Sequence, residues 1–142
     1  MQIDQQKLEK EALKVGISML VLFGSQATGK AKTESDYDLA VLMLPIKDIG
    51  KNLSAYTETL FFLANVLGIA ENKIDLTNLA SASPLLQKEI FSEGRLLFGD
   101  TCEFASLKAA ALRRYIDIYS LRQLRTKMIN TKQKILAEKI YG

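Results

Sequence analysis

Two apolar runs, Met19 to Phe23 and Leu39 to Leu44, enclose a segment that reads GSQATGKAKTESDYD, from Gly24 to Asp38. Ile17 to Phe23 is almost unbroken in apolarity, and a run of that kind with Val and Ile reads as a strand buried on both faces. Asp36 to Leu44 reads as a second strand, ended by Pro45. Gly24 to Ser35 is small, polar and glycine-bearing, so it reads as a loop with room for one helical turn. Strands buried on both faces need helices packed on them, which points to a mixed α/β domain.

Asp36 and Asp38 lie two apart on the second strand, so both project from one face, about 6.6 Å apart along it. Ionised carboxylates so placed repel each other unless a cation lies between them. Aspartates entering an apolar run are costly without such a cation. Mg²⁺ is typically held by one or two carboxylates plus substrate phosphates. A pair of ions calls for a third carboxylate, and Asp75 on the next predicted strand is the candidate. The Gly24-Ser25 turn supplies the other half. Glycine lets backbone approach a ligand closely, successive N–H groups there form an anion nest, and the Ser25 hydroxyl adds a donor. Together these features describe a nucleoside triphosphate site, with Lys30 and Lys32 in the loop as groups that could screen phosphate charge.

The rest of the chain supplies cover. Gln2 to Lys14 reads as a first helix with an apolar stripe of Ile3, Leu8, Ala12 and Leu13, stopped by Gly16. Asn52 to Leu67 reads as a helix capped by Asn52, buried through Leu53, Tyr56, Leu60, Ala64 and Leu67, and stopped by Gly68. Lys73 to Leu79 alternates as a third strand, with Asp75, Thr77 and Leu79 on one side. Ser83-Pro84 opens a helix with Leu85, Leu86, Ile90 and Phe91 on its buried face, closed by Gly94. Arg95 to Phe98 suits a short edge strand. Asp100, with Glu103 three positions on, starts a long final helix. That helix carries Phe104, Leu107, Ala111, Tyr115, Ile118, Leu121, Leu124 and Met128 at spacings of three and four, and runs to about Lys139. The expected fold is α/β (α+β), a small mixed sheet of about four strands with helices packed on it and a long C-terminal helix.

With 142 residues, 48% of them apolar and 25% charged, the chain suits one soluble domain. No apolar run approaches a membrane span of roughly 20 residues, and the polar segment Met1 to Lys14 is no signal peptide. Cys102 is the only cysteine. It excludes an internal disulfide, fits a reducing cytoplasm and reads as a small buried hydrophobe. The chain has no histidine, which removes Ser-His and Cys-His nucleophilic systems and histidine-based zinc sites. Residues 1–100 hold 10 basic and 13 acidic residues, whereas residues 101–142 hold nine and three. The division expected is therefore 1–100 as the catalytic unit and 101–142 as a basic helical extension packing on it within one structural domain.

The signature G-S-x10-D-x-D, with Ser35 before the first aspartate and apolar runs on either side, resembles that of the DNA polymerase β-like nucleotidyltransferase superfamily. The form GSQATG…SDYDLAVL and the chain length are similar to its minimal MNT members, which pair with HEPN-domain proteins in toxin–antitoxin systems. The resemblance covers Ile17 to about Phe98 and implies the nucleotidyltransferase fold. It implies that Gly24 and Ser25 hold the triphosphate, that Asp36 and Asp38 bind Mg²⁺ as a two-ion site, and that Asp75 shares a metal and activates the attacking hydroxyl. Lys32 stands where many members have arginine; it keeps the charge but loses the bidentate fork. The implied reaction is transfer of AMP from ATP to a tyrosine hydroxyl of a HEPN ribonuclease toxin. The alternatives are an antitoxin acting by occlusion with a vestigial site, and an antibiotic-type enzyme acting on a small molecule. The basic tail, with Met128, Ile135 and Ile140 left over for contact, reads first as a protein interface, for that toxin or for self-association. Nucleic acid ranks last, since Tyr115 and Tyr119 fall near apolar positions.

Overall fold

The computed structural model describes residues 1–45 and 47–141. Strands β1 (Ile17–Phe23), β2 (Tyr37–Met43), β3 (Ile74–Asn78) and β4 (Arg95–Phe98) form one sheet in the order β3-β2-β1-β4. β1 pairs antiparallel with β2 and with β4, and β2 pairs parallel with β3, so the sheet is mixed. Helices α1 (Gln5–Val15), α2 (Ser25–Thr28), α3 (Leu53–Leu67), α4 (Pro84–Glu93) and α5 (Thr101–Tyr141) complete the fold. This is the α/β arrangement of four strands with a long C-terminal helix.

The two-residue period of the strands distributes the core over both faces of the sheet. Leu20, Leu22, Leu39, Val41, Ile74 and Leu76 pack with α1 and α3. Met19, Val21 and Ala40 pack on the other side with Ile90 and Phe91 of α4 and Ala111 of α5. Each fully buried Leu or Val contributes about 1.5–3 kcal/mol. Helix starts are set by side-chain caps: Asp4 accepts from the Lys7 N–H at 3.0 Å, Asn52 from Ser54 and Ala55, Ser83 from Leu86, and Asp100 from Glu103 at 2.7 Å.

Several expectations shift. The Asp4 cap starts α1 at Gln5 rather than Gln2. Asn78 accepts from the Ala80 N–H and turns the chain, so Leu79 leaves the strand for a 3₁₀ turn. Leu13, Leu53 and Leu85, expected on buried faces, are exposed. Each lies near a helix end, where the stripe runs past the edge of the sheet; α3 buries Ala64 and Leu67 as expected, together with Ala55, Thr59, Leu63 and Val66. Cys102 is also exposed, because the first turn of α5 turns Phe104 and Leu107 toward the core. Tyr115 is half-buried under Lys88, whose Nζ lies 5.2 Å from its ring centre, but Tyr119 is exposed. From Tyr119 to Tyr141 every residue of α5 is exposed. Among the described residues no helix is long and apolar enough to cross a membrane.

Candidate functional site

The end of β1 and the starts of β2 and β3 lie side by side. Phe23 pairs with Asp38, Tyr37 with Ile74, and Asp38 with Asp75. Ala40 and Leu42 point into the α4–α5 layer, so Asp38, in step with them, sits on that face at the open end of the sheet. Asp75, its ladder partner, shares the face. Asp36 falls one residue before β2 begins.

Asp38 is half-buried while Asp36 and Asp75 are exposed. Burial holds the Asp38 carboxyl above its ordinary value, and the charges of Asp75 and Asp36 push it the same way. Asp38 therefore senses the charge of both neighbouring acids. Among the described residues no ion pair reaches any of them.

Gly24 closes the site from the β1 side. Its φ of +70° and ψ of −154° lie in a region that L side chains rarely adopt. A Cβ built there would fall 3.0 Å from Asp38 Cγ and would collide with its Oδ2. The glycine thus lets backbone lie directly against the carboxylate. The single turn α2 follows, with the N–H groups of Ala27 and Thr28 donating back to the Gly24 carbonyl at 3.1 and 3.2 Å. The first N–H groups of this turn, on Ser25 and Gln26, have no acceptor within the helix.

Beyond α2, the loop is pinned at two points that the sequence pattern did not single out. Gln26 Nε2 donates to the Ser35 carbonyl at 3.1 Å, and Lys73 Nζ donates to the Glu34 carbonyl at 3.3 Å. Ser35 Oγ accepts from the Lys32 N–H at 2.8 Å and tightens the approach to Asp36. The side chains of Lys30 and Lys32 are exposed, and no ion pair among the described residues joins them to the acids. Gly24, Ser25, Asp36, Asp38 and Asp75 are thus gathered at one end of the sheet, whereas Lys32 stays on the loop surface.

The donor set suits a hard cation. It is all oxygen and like-charged. Among the described residues no group of three or more His, Cys, Asp or Glu side chains is close enough to hold a metal by itself.

The family described as polymerase beta, nucleotidyltransferase, matches residues 6–103, well over half of the chain. The protein adenylyltransferase MntA of Aphanizomenon flos-aquae (strain 2012/KM1/D3) is 36% identical over an alignment of 88 residues, and the match covers 58% of this chain and 57% of that protein. The chain thus spans little more than half the length of that relative. A chain from the complex of tri-AMPylated Shewanella oneidensis HEPN toxin with MNT antitoxin matches with a TM-score of 0.57 at 25% identity, over 88% of this chain and 98% of that one. A chain from a toxin–antitoxin complex with AMP-PNP matches with a TM-score of 0.65 at 23% identity, over 89% and 98%, a likeness of fold.

Proposed function

Because this chain belongs to the polymerase beta nucleotidyltransferase family, we propose that it is a Mg²⁺-dependent protein adenylyltransferase and the antitoxin of a HEPN ribonuclease toxin. It moves AMP from ATP to a tyrosine hydroxyl of that toxin, releases pyrophosphate and so silences it. The observation that carries this reading is the meeting of the Gly24 backbone with Asp38, flanked by Asp36 and Asp75. The named relative, a protein adenylyltransferase, and the matched chain from a complex with an AMPylated HEPN toxin support it.

In this reading Gly24 and Ser25 hold the triphosphate, with Lys32 as a flexible counter-charge. Asp36, Asp38 and Asp75 would hold Mg²⁺, which would supply charge neutralisation on the phosphates when bound. Asp75, exposed beside Asp38, receives the proton of the incoming hydroxyl. The hydroxyl oxygen bonds to the α-phosphorus as the bond to pyrophosphate breaks. Catalysis is then mostly positioning and charge compensation. Residues 1–100 act as the transferase unit, and residues 101–142 act as a basic extension that meets the partner.

The test is mass spectrometry of the partner encoded beside this chain, after incubation with ATP and Mg²⁺. A mass gain of AMP units on tyrosine is expected, and the pair Asp36→Asn with Asp38→Asn should abolish it. Unchanged transfer by that double variant would sink the mechanism. Protection of cells by the same variant would favour neutralisation by occlusion, a role for which the exposed half of α5 is available.

A further inference from the structure

The second half of α5 repeats in sevens. Leu121, Met128 and Ile135 fall on one heptad position (a), and Leu124, Thr131 and Glu138 fall on the next core position (d). Leu121, Leu124, Met128 and Ile135 are 64%, 54%, 64% and 48% exposed, so nothing among the described residues covers this seam. Open grooves of about 530 and 610 Å³ run along it and share Leu124, Met128 and Lys132.

The residues that border the seam are basic on both sides. Arg125, Lys132 and Lys139 occupy position e, and Lys127 and Lys134 occupy position g. In a helix pair these flanking positions face each other and decide which partner is accepted. Two copies of this helix would set positive against positive in either orientation, e against g when parallel and like against like when antiparallel. Among the described residues, the exposed large apolar residues outside α5 are Met1, Leu13, Leu53, Phe61 and Leu85, spread over the N-terminal segment, α1, α3 and α4. They offer a second copy no continuous seam to receive α5.

We propose that Leu121 to Lys139 docks an amphipathic helix of another protein, with apolar residues on its facing stripe and Asp or Glu on both borders of it. Opposite charges there attract and set the register, while like charges reject a second copy of this chain. Ile129 and Leu136 lie beside the basic e row and widen the apolar strip on that side. The proposal concerns docking alone and stands apart from the transfer chemistry.

The experiment uses the full chain. Isothermal titration at physiological salt compares two synthetic three-heptad helices, both with Leu at a and d, one with Glu at e and g and one with Lys there. Sedimentation equilibrium follows the chain alone. The chain should be monomeric and should bind the Glu helix about tenfold or more tighter than the Lys helix. K127E with K134E should narrow that preference, and M128D should weaken both helices. These sites are exposed, so unchanged melting curves identify folded variants. Equal affinity for the two helices, no binding of either, a dimer of the chain alone, or tighter binding of a single-stranded RNA would each overturn the proposal.

Discussion

Asp38 carries its carboxylate at the half-buried end of β2, beside two further acids and against the Gly24 backbone. Burial first, then the charges of Asp75 and Asp36, raise its proton affinity in the folded chain. The folded state therefore keeps this proton at pH values where the unfolded chain has already lost it. Stability on this account is lost as pH rises from the ordinary Asp value of 3.8 through the raised one. Asp38→Asn removes the charge without changing the shape. The variant should melt roughly 1–2 °C higher at neutral pH, about a few tenths of a kcal/mol once solvent screening at this half-buried site is allowed for. The gain should vanish in acid below 3.8. Mg²⁺ should raise the melting temperature of the parent more than that of the variant; scanning calorimetry at two pH values, with and without Mg²⁺, measures both effects. A variant less stable at neutral pH would show that Asp38 supports the fold rather than the site.

The connection from β1 to β2 depends on side chains that bond to backbone. Gln26 ties the turn after Gly24 to the residue before Asp36, and Lys73 ties the same loop to the start of β3. Removing the Gln26 amide frees the turn relative to the acids, so fewer molecules hold both halves ready at once. Apparent affinity falls in proportion to that fraction. Gln26→Ala should raise the KM for ATP about three- to tenfold while kcat and melting temperature change little. A fall in kcat with KM intact would place Gln26 in the chemistry instead. These ties leave no trace in hydrophobic periodicity, which explains why neither residue stood out in the chain. β1, β4 and the caps at Asn52, Ser83 and Asp100 were legible because their signals are local. The pairing of Asp75 with Asp38 was only half legible: alternation put Asp75 on a strand, but the parallel register that aligns the two comes from packing between distant segments. Leu13, Leu53 and Leu85 misled for a related reason, since helical spacing names a stripe and the sheet edge decides where it stops being covered.

Across the whole molecule, the core ends long before the chain does. Ala111 is the last buried residue of α5, and every position from Tyr119 to Tyr141 is exposed. Deleting residues 121–141 should therefore leave the melting temperature within about 2 °C of the parent. Binding of ATP, followed by titration, should be unchanged, while AMP transfer to the partner protein should fall about tenfold or more. Loss of ATP binding on truncation would show that α5 supports the site from a distance. The same bareness makes the outer half of α5 a sensor of temperature. A helix of some 20 residues without tertiary support is held by its own hydrogen bonds alone, and its helical fraction declines on warming well before a packed domain melts. Any protein that grips it must supply the missing order itself, so the grip should slacken with heat while the sheet, its carboxylates and the Gly24 turn remain in place.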